Sequence, residues 1–274
     1  MDLLRQIMRL PYSYGLWLRF PVGSVETKVK YGIYPYAHYA YGVYWSAFLA
    51  RQLKIPRITV IEFGVAGGRG LIALERASRE ISDHLGVGID VVGFDSGEGM
   101  PPPVDYRDLP HIWNVGFYRL EPEKLLPKLG GAQLVLGDVS KTVPAWMQSG
   151  IKAPIGFVAF DLDYYSSTAS ALSVFDGNET THLPRVHLYF DDLACTDIGC
   201  MSEFVGEYLA IQEFNRRKPD RKIARIELLR LNRPRQEAWQ DRMYAFHNFA
   251  HPRYTELVLP GGAQNTQLPL PGNA

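Results

Sequence analysis

Cysteine is almost missing from this chain. Two residues, Cys195 and Cys200, are too few for a disulfide framework or a zinc ribbon, and free thiols in a reducing compartment are expected. Excess charge is missing too: 29 basic and 29 acidic side chains cancel, so the overall balance argues for no nucleic-acid and no membrane partner. The short basic run Arg216-Arg217-Lys218 reads as a solvated helix end. No apolar run approaches the roughly 20 residues of a membrane span. The first twenty residues, with Arg5, Arg9 and Pro11 among their apolar positions, make a poor secretory leader. A cytoplasmic protein is therefore expected.

What is present is ordinary globular composition, 46% hydrophobic and 21% charged over 274 residues. That is enough chain for one α/β domain with a sizeable core. Its most informative stretch is Ile58–Gly70, ITVIEFGVAGGRG. A β-branched run ends in Glu62, glycines follow at 64, 67, 68 and 70, and a helical pattern opens at Leu71. Strand, tight turn and helix N-terminus together let a backbone approach a ligand closely and offer it free N–H groups.

The pattern then repeats. Apolar runs Ile89–Phe94, Gln133–Leu136, Ile155–Phe160 and Arg185–Phe190 read as strands, and each ends at or near an acid: Asp95, Asp138, Asp161 and the pair Asp191-Asp192. With Glu62, five strand ends carry carboxylates, and in an open parallel sheet the carboxyl ends share one ligand-binding rim. Helices are expected at Leu71–Leu85, Glu121–Leu129, from Pro144 onward, at Ser166–Ser173 and at Met201–Asn215. Lys222–Leu231 and Trp239–Asn248 read as two further strands.

Three regions follow from this pattern: an N-terminal helical, aromatic-rich cap over 1–56, the main domain over 57–250, and a tail over 251–274 whose Pro, Gly, Asn and Gln predict disorder. Half of the sixteen tyrosines lie between Tyr12 and Tyr44. Helical spacing over Asp2–Leu10 and Ala37–Leu53 points those rings at the sheet or at a second subunit, so a homodimer is compatible with the pattern. The segment around Pro35 is the best candidate for a lid.

Three carboxylates at neighbouring strand ends, Asp161, Asp191 and Asp192, would repel one another unless a hard cation such as Mg²⁺ joined them through oxygen ligands. Such a cation leaves room for two adjacent hydroxyls and lowers the pKa of the one that attacks. Asp163 reads as a substrate-facing residue or as a cap for the following helix.

The motif EFGVAGGRG at 62–70 resembles the first motif of the class I S-adenosylmethionine-dependent methyltransferases. GFDSGEGMP at 93–101, FDLDYYSSTASAL at 160–172, FDDL at 190–193 and GCMSEFVGEY at 199–208 further resemble the macrocin-type, metal-dependent sugar O-methyltransferases of antibiotic biosynthesis. The resemblance implies a Rossmann-like, doubly wound, mostly parallel sheet flanked by helices. It also implies transfer of a methyl group from S-adenosylmethionine to a hydroxyl of a small-molecule acceptor, a sugar or another vicinal diol.

In that picture Gly64, Val65, Ala66 and Gly67 cradle the methionine end of the cofactor and Glu62 holds its amino group. Asp95 with Ser96 takes the ribose, Asp138 lies by the adenine, and Asp161, Asp191 and Asp192 bind the metal. Related catechol-type enzymes place a lysine where this chain has Tyr164, so no lysine base carries over. His111 in the loop after Asp95 is the candidate general base beside Asp161. VFDGNETTHLPRV stands where the family has a Pro-Gly-Gly turn, which bears on the shape of the acceptor pocket. Two other readings stay open on the residues alone: a nicotinamide oxidoreductase, and a non-catalytic S-adenosylmethionine-binding protein.

Overall fold

The computed structural model describes residues 13–193 and 197–259. Among the described residues three helices, α1 (Ser13–Arg19), α2 (Val25–Tyr31) and α3 (Ala37–Gln52), precede the first strand, β1 (Arg57–Phe63). Then come α4 (Arg69–Leu85), β2 (Gly88–Asp95), the short α5 (Pro122–Leu125), β3 (Gln133–Leu136), α6 (Val139–Gln148), β4 (Ile155–Phe160), α7 (Tyr165–Ala171) and β5 (His182–Phe190). The chain closes with α8 (Gly206–Arg217), β6 (Arg221–Arg225) and β7 (Met243–Asn248).

The seven strands among the described residues form one sheet in the order β3-β2-β1-β4-β5-β7-β6. The pairings among β1 to β5 are parallel, and β7 runs antiparallel to both of its neighbours. Central strands covered on both faces must be apolar throughout, and β4 is buried at every position. Helix α4 buries Leu71, Leu74, Ser78, Ile81 and Leu85, a spacing of three and four residues that keeps one stripe against the sheet. Gly86 in the left-handed region ends it.

The aromatic N-terminal segment packs into the same core as the sheet, one of the two placements its spacing allows. Helix α3 buries eleven of its sixteen residues, among them Tyr39, Tyr41 and Tyr44. Gly42 lets it descend onto β4, because a Cβ there would overlap the Phe157 ring. The stretch around Pro35, expected as a lid, is packed down as well: Ile33 is 1% exposed and the Tyr34 hydroxyl donates to Glu80 at 3.0 Å. The expected helix at Asp2–Leu10 lies outside the described residues.

Several boundaries differ from those expected. Helix α6 begins at Val139, before Pro144, because Asp138 caps it by accepting from the Ser140 N–H at 2.9 Å. Helix α8 starts at Gly206 rather than Met201. The strand expected over 222–231 is only the five residues of β6, and residues 238–242 form a 3₁₀ turn ahead of β7. The start of the expected disordered tail is packed: His251 is buried, and Arg253 bonds the Leu53 carbonyl and pairs with Glu256. Cys200 is an exposed free thiol, whereas Cys195 lies outside the described residues. No helix among the described residues is long and apolar enough to cross a membrane.

Candidate functional site

Because β1 to β5 are mutually parallel, their carboxyl ends share one edge of the sheet, and the five strand-end acids assemble there as the sequence pattern requires. A cleft of about 970 Å³ opens at this edge. Gly64, Ala66, Asp95, Ser96, Asp138, Asp161, Asp191 and Asp192 all line it. A second hollow of about 640 Å³ lies at the opposite end of the strands, around Arg57, Gly88 and Asp90, away from these acids.

The glycine turn is held from below by Asp95. One of its oxygens accepts from the Val65 and Ala66 N–H groups, both at 2.9 Å, and the other from Gly97 N–H at 2.7 Å. Gly64 has φ +85°, and a Cβ there would run into the Asp161 carbonyl oxygen. The cofactor-type turn and the first acid of the triad are thus in backbone contact. Ala66 also sits at positive φ, +45°, an uncommon state for a residue with a side chain. At Gly67 a Cβ would meet nothing within 4 Å, so this part of the turn borders open space.

Glu62 lies beneath the turn, 1% exposed and outside the cleft lining. Tyr39 donates to its Oε1 at 2.7 Å, and its Oε2 is buried without a partner. Burial foremost, with the charges of Asp161 and Asp95 behind it, pushes this carboxyl well above the usual range. A buried acceptor left open next to a glycine turn is the kind of group a bound ammonium would complete.

Asp161, Asp191 and Asp192 each present an oxygen within 4.8 Å of the others. Their surroundings fix them. Tyr189 donates to Asp191 Oδ1 at 2.6 Å, and Arg242 donates to the same oxygen at 2.8 Å and to the Asp191 carbonyl at 2.6 Å. Glu207 of α8, fully buried, accepts from the Asp192 N–H at 3.0 Å. Asp163 does not cap α7. It is buried at φ +60°, and its N–H donates to Asp192 Oδ2 at 2.8 Å. The cap comes instead from Asp108, which accepts from the Ser166 N–H and hydroxyl at 2.8 and 2.9 Å.

Packing so many acids together has the expected electrostatic result. Burial, then Asp191 and Asp163, pushes Asp161 up to about 8, and burial raises Asp163 to about 6. Asp192 and Glu207 lie well above the carboxylate range, for burial first and mutual repulsion second. Without a cation this cluster holds protons at neutral pH. Three converging hard oxygen donors in such a field suit a divalent metal.

The other wall of the cleft comes from residues 99–118, with Met100, Trp113, Val115, Phe117 and Tyr118 in its lining. His111, expected as the general base, is exposed in a turn of this segment and is not among the lining residues. The turn over 109–112 faces it outward, and Trp113 and Val115 take the inner positions. Tyr39, Asp108, Tyr189, Glu207 and Arg242 were not singled out from sequence, since each acts on a partner remote in the chain or is hidden in a pattern that reads as helix or strand.

No protein-family model matches this sequence, and a search of curated proteins returns no match. Solved structures do match the fold. The calicheamicin methyltransferase CalS11 is 22% identical over 76% of this chain and 78% of its own, with a TM-score of 0.50. The O-methyltransferase NovP is 14% identical over 77% and 80%, with a TM-score of 0.52. The chain thus shares the fold of these two proteins: a mostly parallel sheet, seven-stranded among the described residues, with flanking helices.

Proposed function

We propose that this chain is an S-adenosylmethionine-dependent, divalent-metal-dependent O-methyltransferase. It acts on one hydroxyl of a vicinal diol, in a sugar or another small molecule of natural-product biosynthesis. The observation that carries the reading is the convergence of Asp161, Asp191 and Asp192 within 4.8 Å, on backbone in contact with Gly64 of the glycine turn. Both CalS11 and NovP, which share the fold, are methyltransferases.

The residues present fit both groups. Glu62 Oε2 is an unpartnered buried acceptor for the cofactor's ammonium, and Gly64 and Ala66 of the turn line the cleft, whereas Val65 and Gly67 do not. Asp95 and Ser96 line it where the ribose would lie, with Asp138 next along the edge. S-adenosylmethionine supplies an electrophilic methyl on a sulfonium, and a divalent cation supplies charge that acidifies a neighbouring hydroxyl. The chain's own work is positioning. Arg242 and Tyr189 orient Asp191, Glu207 holds the backbone of Asp192, and the 99–118 wall narrows access of water. Carboxylates are the bases that the described lining offers, so the acceptor's proton passes to one of them. Asp161, beside the glycine turn, is the residue assigned to that role, in place of His111.

Calorimetry tests the reading directly. S-adenosylhomocysteine should bind, and bind with Mg²⁺ present, whereas NAD should not; binding of NAD alone would end it in favour of an oxidoreductase. A protein that bound S-adenosylhomocysteine yet transferred no labelled methyl to any diol in an acceptor screen would instead be a non-catalytic binder.

A further inference from the structure

We infer that the acceptor is a neutral molecule carrying its vicinal hydroxyls on or beside a flat apolar body, and not a nucleotide-linked or otherwise phosphorylated sugar. This rests on the proposed reading of the cleft as a methyl-transfer site and narrows its substrate class.

The first ground is charge. Among the described residues that line the cleft there is no Lys, Arg or His. Its charged groups are all acids: the metal triad and Asp163, together with Asp95, Glu98 and Asp138. Recognition of a diphosphate draws on guanidinium forks, ammonium groups or open helix N-termini. Two guanidiniums on neighbouring elements are already engaged, Arg242 with Asp191 and Arg107 with Asp105 and Tyr165.

The second ground is backbone. At the N-terminus of α6 the Ser140 N–H is taken by the Asp138 carboxylate, and at that of α7 the Ser166 N–H is taken by Asp108. These two N-termini are therefore closed by a negative group; that of α4 carries no side-chain cap but belongs to the glycine turn assigned to the cofactor, and that of α8, also uncapped, has Glu207 in its first turn. A phosphate would meet acids where it needs donors, and the two positive charges of one cation are matched by its own ligands.

The third ground is the opposite wall. Val104, Val115, Phe117 and Tyr118 are 71%, 60%, 43% and 55% exposed, a grouped apolar surface in a molecule whose other large rings are mostly buried. Trp113 and Tyr118 face each other edge-on at 6.3 Å, and the Trp113 indole N–H is buried without a partner. Such a wall accepts a flat apolar body and offers one donor to an oxygen on it.

Three probes with Mg²⁺ present decide the matter by calorimetry: nitrophenyl rhamnoside, dihydroxybenzyl alcohol, and thymidine-diphosphate rhamnose. At least one neutral aryl probe should bind about tenfold or more tighter than the nucleotide sugar. The better of the two distinguishes an aryl glycoside from an aromatic diol as the source of that chemistry. Phe117→Ala should weaken the preferred aryl probe at least about fivefold, and Val115→Ala, a milder change, should weaken it in the same direction. Equal or tighter binding of the nucleotide sugar, or no binding of either aryl probe, overturns the inference. The titrations are run with and without S-adenosylhomocysteine, whose own binding is read separately. Loss of cofactor binding would count against the methyltransferase reading, while the ratio of acceptor affinities still decides this one.

Discussion

Without the proposed divalent cation, folding should become less favourable as pH rises, the reverse of the usual acid denaturation. Asp161 titrates near 8 in the folded chain against 3.8 in the unfolded one, and Asp163 near 6, so the folded state keeps protons that the unfolded state has released. A carboxyl raised in this way contributes fully below its unfolded value, and its contribution is lost as pH climbs to the folded value. For Asp161 the full difference corresponds to about 6 kcal/mol at 1.36 kcal/mol per pH unit. The side chain lines an open cleft and shares protons with its neighbours, so about 3 kcal/mol is the working magnitude. In a domain of this size that is a fall in Tm of about 6–12 °C between pH ~4 and pH ~8. Mg²⁺ at a hundredfold its Kd should restore about 2.7 kcal/mol at the upper end and far less at the lower end, where protons compete for the same oxygens. Thermal unfolding at several pH values in EDTA and in MgCl₂ reads this. Asp161→Asn should flatten the EDTA profile. A wild-type profile that is level or rises with pH in EDTA, with no gain from Mg²⁺ at pH ~8, would refute the electrostatic account of the cluster.

Three more outcomes follow from the geometry. Gly64→Ala, which demands positive φ and drives a methyl into the Asp161 carbonyl, should destabilise the chain by about 3 kcal/mol or more and abolish S-adenosylhomocysteine binding, checked by urea unfolding and calorimetry. Tyr39→Phe leaves both oxygens of buried Glu62 without a partner; about 1–3 kcal/mol of stability should be lost, with weaker cofactor binding. Asp108→Ala removes acceptors used by Val104 N–H, Ser166 N–H and the Ser166 hydroxyl, and should cost about 2–3 kcal/mol while raising KM for the acceptor more than it lowers kcat, because it frees the 99–118 wall.

Local chemistry made the sheet and the acid triad legible. A buried parallel strand must be a short apolar run, and β1, β2 and β4 announce themselves by that rule, with their terminal acids marking the ligand edge. Features that depend on distant partners were not legible. Asp108 lies 58 residues from the helix it caps, which is why Asp163 looked like the nearer candidate. Tyr39 reads as one more core aromatic until β1 brings Glu62 beneath it. The loop histidine looked suitable from its type alone, but side-chain direction in an irregular segment has no periodicity to reveal it. Pro144 suggested a helix start because proline favours the first turn, yet the Asp138 cap sets the start earlier. The antiparallel pair β6 and β7 is short and partly polar, so its limits were blurred.

Manganese binding followed by electron paramagnetic resonance tests the central claim, that three strand-end carboxylates form one metal site beside the cofactor turn. The wild-type chain should bind a single Mn²⁺ that Mg²⁺ displaces, while Asp191→Asn should lose at least about tenfold in Mn²⁺ affinity and still bind S-adenosylhomocysteine. Unchanged Mn²⁺ binding in Asp191→Asn, or none in the wild type, would contradict the account.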